Sequence, residues 1–370
     1  MKWFGWKGTH QSNTLMGPNS GRGEARPVLA RGFAFAGEWP PSYEAQVRSG
    51  YLGNPVAQRA VKMVAHSVAD APIDASDEIA ALIGVELLES VATHLQLHGN
   101  AYVQVLRDAD ARPAGLFALR PERVRVEVDS SGWPAAYRYA VGERVQRLIA
   151  DAAAPEVIHL RLAHPLDDHY GLGCLGAAAG AIAVHNAASG WNRALLDNAA
   201  RPSGALVYDP GDGSTLTRDQ FERLRAEMEA GFAGAANAGR PMLLEGGLKW
   251  QALSLSPADM DFAGMKAGAA REIALAFGVP PMLLGLPGDA TYANYREANK
   301  ALWRLSVLPM AGRILGGLTD GLKAWWPDAR AAVDLDRVPA LAEERQALWA
   351  SVTAADFLTN EEKRQMVDWS

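Results

Sequence analysis

The chain has 370 residues, 49% of them apolar and 21% charged, with a formal net charge of −6. That length exceeds one typical domain, so two or three structural units are expected, large enough to fold without covalent staples. The acidic balance argues against a protein that grips nucleic acid tightly, because phosphate binding is built from Lys and Arg, but not against one along which DNA slides.

The longest uncharged run of small residues, 171–184, is too short to cross a bilayer, so no membrane role is expected. No basic segment followed by an apolar one opens the chain, and the single Cys174 cannot form an intrachain disulfide, which points to a reducing cytoplasmic setting. Cys174 reads as a small core residue rather than a nucleophile. Charge is uneven: residues 1–40 carry five basic and two acidic groups, and residues 328–370 carry nine acidic and five basic ones.

Residues 1–44, rich in Gly, Ser, Asn and Pro without a sustained period, read as a flexible arm. Asn54 then caps a helix with Pro55 at its first position, an apolar stripe of Ala57, Val61, Val64, Ala65 and Val68, and Pro72 as its stop. A second helix is expected over 79–98, burying Leu82, Ile83, Val91 and Leu95 and ending at Gly99. The pattern next switches to period two in AYVQVLR, GLFAL, RVRVEV, AAYRYAV and EVIHLRL, as expected of an antiparallel, half-buried sheet. Helices followed by meandering strands make an α+β unit.

From Leu175 the chain is helical again and dense in Ala and Gly, which lets another helix approach closely. GALVYD reads as a strand, DPGDGS as a turn, and Thr217-x-x-Gln220 as a capping box opening a helix that buries Phe221, Leu224, Met228 and Phe232. RPMLLEGGLKWQALSL reads as a hairpin turned at Gly246-Gly247. Ser256, followed by Pro257 and Asp259, opens a helix closed by Gly278-Val279-Pro280-Pro281. After a Gly- and Pro-containing loop, residues 294–326 read as one helix of roughly 50 Å that Pro309 should kink. Two short helices finish the chain, the second opened by the capping box Thr359-x-x-Glu362.

Two motifs invite an enzymatic reading, either nucleotide-cofactor or metal-dependent. Gly171-Leu-Gly173-Cys-Leu-Gly176 matches the dinucleotide fingerprint, yet eight residues separate it from the strand that should feed it. His159, His164 and His169, with Asp167 and Asp168, lack the spacing that places imidazoles on one helix face. No G-x-S-x-G elbow and no phosphate-cradling G-x-x-x-x-G-K-[ST] loop occurs, which disfavours a hydrolase and a nucleotide-driven motor. No cofactor and no metal are expected.

Taken in order, eight segments resemble the portal proteins of tailed bacteriophages, of the Hong Kong 97 type also found in prophages and gene transfer agents. They are GNPVAQRAVKMVAHSVADAP (53–72), LQLHGNAYVQVLRD (95–108), VIHLRLAHPLDDHYGLGCLGAA (157–178), NAARPSGAL (198–206), RPMLLEGGLKWQALSLSPADMDF (240–262), REIALAFGVPPMLLG (271–285), TYANYREANKALWRLSVLP (291–309) and FLTNEEKRQ (357–365). The resemblance implies a ring homo-oligomer, of twelve subunits, at the head–tail vertex of a virion, through which double-stranded DNA is packaged and ejected without sequence specificity. It implies contacts with the major capsid protein, the large terminase of the packaging motor and a head–tail adaptor, and no catalysis.

By matching position, the resemblance implies an α+β portal fold: a wing of strands and helices (45–170), stem helices (171–202 and 257–282) and a small αβ clip between them (203–256). A tunnel loop (283–293), a long kinked helix returning to the wing (294–337) and a short helical crown (338–370) would follow. The DNA-facing residues implied are Leu286, Pro287, Gly288, Asp289, Ala290, Thr291, Tyr292, Ala293 and Asn294. The clip contacts implied for motor and adaptor are Asp209, Pro210, Gly211, Asp212, Gly213, Ser214, Gly246 and Gly247. Since the loop carries Asp289 and no cation before Arg296, it is expected to guide DNA rather than hold it.

Overall fold

The computed structural model describes residues 42–151, 153–197, 204–209, 211, 215–232, 248–252, 262–286 and 291–367. Most of the arm at 1–44 and both strands of the expected hairpin except 248–252 lie outside these residues.

Helix α1 (Tyr43–Gln46) runs into a π-helical stretch (Val47–Leu52) and is followed by α2 (Pro55–Ala69). Asn54 Oδ1 accepts from the backbone N–H groups of Val56 and Ala57, satisfying two donors that the first turn leaves orphaned. The expected stripe of α2 is fully buried. Strand β1 (Ile73–Ala75) precedes α3 (Asp77–Ala80) and α4 (Val85–His98), so the single helix expected over 79–98 is two. The break falls at Leu82–Gly84, where Gly84 takes an extended conformation as the cap of α4 and leaves Leu82 and Ile83 half-buried. Gly99 closes α4 in the left-handed region at φ 83°.

The strands are β2 (Asn100–Arg107), β3 (Pro113–Leu119), β4 (Val124–Val128), β5 (Pro134–Val141), β6 (Arg144–Ile149) and β7 (Val157–Arg161). They form two antiparallel three-stranded sheets, ordered β3-β2-β7 and β4-β5-β6, instead of one meander. β2 is the central strand of its sheet and is buried on both faces. Ala101, Val103 and Val105 join the main core, whereas Tyr102 points into a second core with Leu119, Val124, Val126, Tyr137, Leu148 and Tyr170. That double burial explains why half-buried alternation fails for β2.

Helices α5 (Cys174–Ala177) and α6 (Ala179–Asp197) lead to β8 (Gly204–Tyr208), α7 (Arg218–Phe232), β9 (Leu248–Ala252) and α8 (Phe262–Ala276). β8 and β9 pair antiparallel, and Thr217 and Gln220 form the expected reciprocal cap of α7. Phe221, expected in a core, is instead 56% exposed in the single chain.

Helix α9 (Tyr292–Leu302), a π-helical turn (Trp303–Val307) and α10 (Leu308–Leu322) occupy the position of the expected long helix. The irregular turn directly precedes Pro309, which has no N–H to give to the preceding turn and whose ring crowds it. Strand β10 (Ala331–Val333) pairs with β1, and α11 (Ala342–Ala354) and α12 (Asn360–Met366) follow. Thr359 and Glu362 make the complete capping box of α12.

The main core joins α2, α4, α8 and α10 to one face of the β3-β2-β7 sheet, through residues such as Val61, Val64, Val91, Leu95, Ile273, Ile314, Leu315 and Leu318. Each such fully buried aliphatic side chain contributes about 1.5–3 kcal/mol. Cys174 is half-buried beside this core, and burial raises its thiol pKa, which suits packing rather than nucleophilic chemistry. Among the described residues no helix is long and apolar enough to cross a membrane.

Candidate nucleic-acid interface

The segment joining α8 to α9 is anchored at both ends. At the C-terminus of α8, Gly278 N–H bonds to Leu275 O at 3.0 Å and Val279 N–H to Ala274 O at 2.9 Å, with Gly278 at φ 66°. These paired bonds satisfy two carbonyls of the last turn, the Schellman arrangement that requires a left-handed residue. Phe277 and Val279 are buried in the main core, and Ser306 Oγ donates to Gly278 O at 2.6 Å, tying the turn to the helix that returns. Pro281–Leu284 then form a short 3-10 turn ended by Gly285 at φ 73°.

On the other side, Thr291 Oγ1 caps α9 by accepting from Asn294 N–H at 3.2 Å. Leu286 is half-buried, whereas Thr291, Tyr292, Ala293 and Asn294 are exposed, Tyr292 by 79%. Pro287, Gly288, Asp289 and Ala290 lie outside the described residues.

Arg296 sits with its guanidinium 5.7 Å from the centre of the Tyr292 ring, and its Nη1 lies 2.7 Å from Glu343 Oε1. Lys300 and Arg304 follow at spacings of four, on the same helix face. Lys300 Nζ lies 3.1 Å from Glu297, 3.7 Å from Glu343 and 3.8 Å from Glu344, and Arg304 pairs with Glu344. The cations at 296, 300 and 304 are thus met by carboxylates, two of them from α11. This row escaped the reading of the sequence, although its spacing of four was visible; the acids that answer it lie some forty residues downstream.

Of the expected clip residues, Asp209 and Gly211 are described. Asp209 Oδ2 accepts from Lys249 Nζ at 3.1 Å across the β8-β9 pair, and that hydrogen bond holds the carboxyl below its ordinary pKa. Gly211 has φ 84° in the turn that follows β8. Pro210, Asp212, Gly213, Ser214, Gly246 and Gly247 lie outside the described residues.

Gly171, Gly173 and His159 take packing roles. A Cβ on Gly171 would lie 2.0 Å from Gly99 O, and one on Gly173 2.5 Å from Leu97 O. These glycines let the loop press its backbone against the end of α4, a steric demand unrelated to a pyrophosphate. His159 stacks on Tyr102 with ring centres 4.3 Å apart, and its Nε2 lies 3.0 Å from Asn100 Oδ1. His164 Nδ1 accepts from Leu166 N–H, and His169 N–H donates to Asp167. Among the described residues no three His, Cys, Asp or Glu side chains are grouped to hold a metal ion.

The profile of the family described as "Phage portal protein" matches residues 55–368. The chain belongs to the phage portal protein family. A solved chain titled "Neck of native GTA particle computed with C12 symmetry", where GTA denotes gene transfer agent, is 47% identical and superposes with a TM-score of 0.70; the match covers 90% of this chain and 94% of that one. A Rickettsia felis relative described as "Uncharacterized protein" is 42% identical over 291 residues, 77% of this chain and 74% of the relative. The portal protein of Enterobacteria phage HK97 is 27% identical over 203 residues, 54% of this chain and 45% of that protein.

Portal proteins form a structural family, and of the 286–294 segment residues 286 and 291–294 are described. Its described part offers the Thr291 and Tyr292 hydroxyls next to cations already met by carboxylates. Such a surface can make weak, exchangeable hydrogen bonds to a polyanion without the strong counterion-release binding that unpaired Lys and Arg would bring.

Proposed function

We propose that this portal-family chain assembles into a closed ring of twelve copies at the head–tail vertex of a virion or phage-like particle, and that double-stranded DNA enters and leaves through the ring. The supporting observation is its 47% identity, over nearly the whole of both chains, to the neck chain titled with C12 symmetry. Identity to the HK97 portal is 27%, so a particle of the gene transfer agent type is favoured over a typical phage. A head-to-tail contact repeated by rotation closes such a ring. Leu275 and Leu305, exposed by 79% and 78% in the single chain, are surfaces that neighbouring copies can cover.

In this reading residues 45–170 are the wing, 171–202 and 257–282 the stem, 203–256 the clip, 294–337 the long helix with its return to the wing, and 338–370 the crown. The segment 283–293 is the tunnel loop in this reading, and the hydrogen-bonded turns at Gly278 and Thr291, which anchor its two ends, support that assignment. The clip, from Asp209 to Ser214 and at Gly246-Gly247, meets the large terminase and later the head–tail adaptor, and the wing and crown meet the major capsid protein. Deleting residues 286–293 is expected to leave rings and particles assembled while DNA packaging or retention drops toward background, as measured by nuclease-protected DNA per particle. Normal packaging in particles that contain the deleted ring would remove the loop from the mechanism.

A further inference from the structure

The last two helices form a hairpin with a projection at its tip and a groove on its flank. Residues 355–359 join α11 to α12, and there Ala355 N–H bonds to Val352 O at 3.3 Å and Leu358 N–H to Ala355 O at 3.4 Å. The capping box of Thr359 and Glu362 closes the turn. These bonds order the backbone on both sides of Phe357, whose side chain is nevertheless 87% exposed in the single chain. An aromatic ring held out in water by an ordered turn gains nothing for the isolated subunit.

The groove between α11 and α12 has a volume of about 490 Å³. Val352 and Val367 line it while buried themselves, and Trp349 adds an aromatic ring. The two charged residues of its lining, Lys363 and Arg364, are both cations. Lys363 Nζ donates to Thr353 O at 3.1 Å, and neither cation makes an ion pair among the described residues. Asp356, beside Phe357, is exposed and makes none among them either. The projection is therefore an apolar ring with an acid next to it, and the groove is an apolar slot with two cations.

We propose that Phe357 of one copy seats in the α11–α12 groove of the neighbouring copy, where Asp356 meets Lys363 and Arg364. The inference rests on the ring reading, which supplies the second copy. Projection and groove are different surfaces of one chain, the heterologous arrangement that a rotational ring uses and a two-fold dimer does not. Phe357 supplies most of the binding by leaving water, whereas the exposed charges contribute little and set the register. Because the turn already orders Phe357, seating it costs little entropy.

The test uses the full chain in a Cys174→Ser background, so that introduced thiols are the only ones present. Asp356→Cys chains, which keep Phe357, are mixed with tagged chains carrying Asn360→Cys in the groove lining, assembled, and treated with a short bis-maleimide. A covalent mixed dimer is expected on a denaturing gel. None is expected when the tagged chain carries Ala347→Cys instead, a position exposed on the opposite side of α11 from Trp349. Phe357→Ser is expected to raise the protein concentration at which light scattering reports half-maximal ring assembly by at least about tenfold, as for a buried aromatic anchor. Circular dichroism checks its fold, and if it is unfolded the mixed dimer decides alone. Rings without the mixed dimer, or wild-type assembly by a folded Phe357→Ser chain, would overturn the proposal and leave the ring reading standing. A parent chain that forms no ring would overturn both. Bridging within single chains between Asn360→Cys and Trp369→Cys, in place of the mixed dimer, would reassign the groove to the chain's own residues 368–370.

Discussion

Replacing Asn100 by alanine is expected to destabilise the fold by about 2–6 kcal/mol, from the two buried donors it would orphan at about 1–3 kcal/mol each. Asn100 is 1% exposed and joins three elements at the start of β2. Its Oδ1 accepts from Gly171 N–H at 2.7 Å and lies 3.0 Å from His159 Nε2; its Nδ2 donates to Gly171 O at 3.2 Å and faces His98 Nδ1 at 3.0 Å. Because a backbone N–H can only donate, the Gly171 bond fixes which end of the amide is oxygen. That assignment makes His159 Nε2 a donor and His98 Nδ1 an acceptor. Alanine would orphan Gly171 N–H and His159 Nε2–H where the loop already presses on Gly99. Since a whole domain is stable by only about 5–15 kcal/mol, the loss should appear in calorimetry as a drop in Tm on the order of 10 °C. A drop under about 2 °C would mean that water replaces the amide and that Asn100 is no hub.

Acidification should act on the same network. Burial pushes His98 down to about 4, with His94 adding to the effect, and pushes His159 down to about 3, with Arg161, His98 and His169 adding. Both folded values lie below the ordinary 6.5, so between them and 6.5 the unfolded chain binds more protons than the folded one. The stability from neutral histidines is therefore fully present above pH 6.5 and is lost as pH falls toward 4 and then 3. For His98 alone the loss by pH 4 is about 3 kcal/mol, and its protonated Nδ1–H would oppose the Asn100 amide donor. The urea midpoint should fall steadily from pH 6.5 to pH 4, and His98→Gln should flatten that slope. A midpoint constant over this window would show that the imidazoles gain protons without unfolding the site.

What could be read ahead of the structure was mostly local. Asn54 and Pro55 at one helix start, Gly99 at a helix end, and Thr359 with Glu362 announce themselves because caps depend on four or five consecutive residues. Pairing across the chain was harder. Strand β6, with the sequence RVQRLI, passed unnoticed because it is an exposed edge with one buried side chain, Leu148. The division into two sheets was hidden because β7 returns to β2 over some fifty residues. Gly171 and Gly173 show the same limit: their spacing copies a cofactor motif, while the contact that needs them is with Leu97 and Gly99, far away in sequence. Phe221 fits a buried helix stripe by spacing, yet the single chain leaves it exposed. At the 286–294 segment the turn at Gly278 follows from Gly and Pro in their usual positions, whereas the cap at Thr291 lies three residues before the helix start expected at 294. The ion pairs that occupy Arg296, Lys300 and Arg304 needed the folded chain, because α11 supplies Glu343 and Glu344.

Cryo-electron microscopy of the full chain, viewed down the symmetry axis, should give class averages of a closed ring of twelve copies with an open centre. A protein that stays monomeric under assembly conditions and forms no ring with its capsid partner would contradict the account.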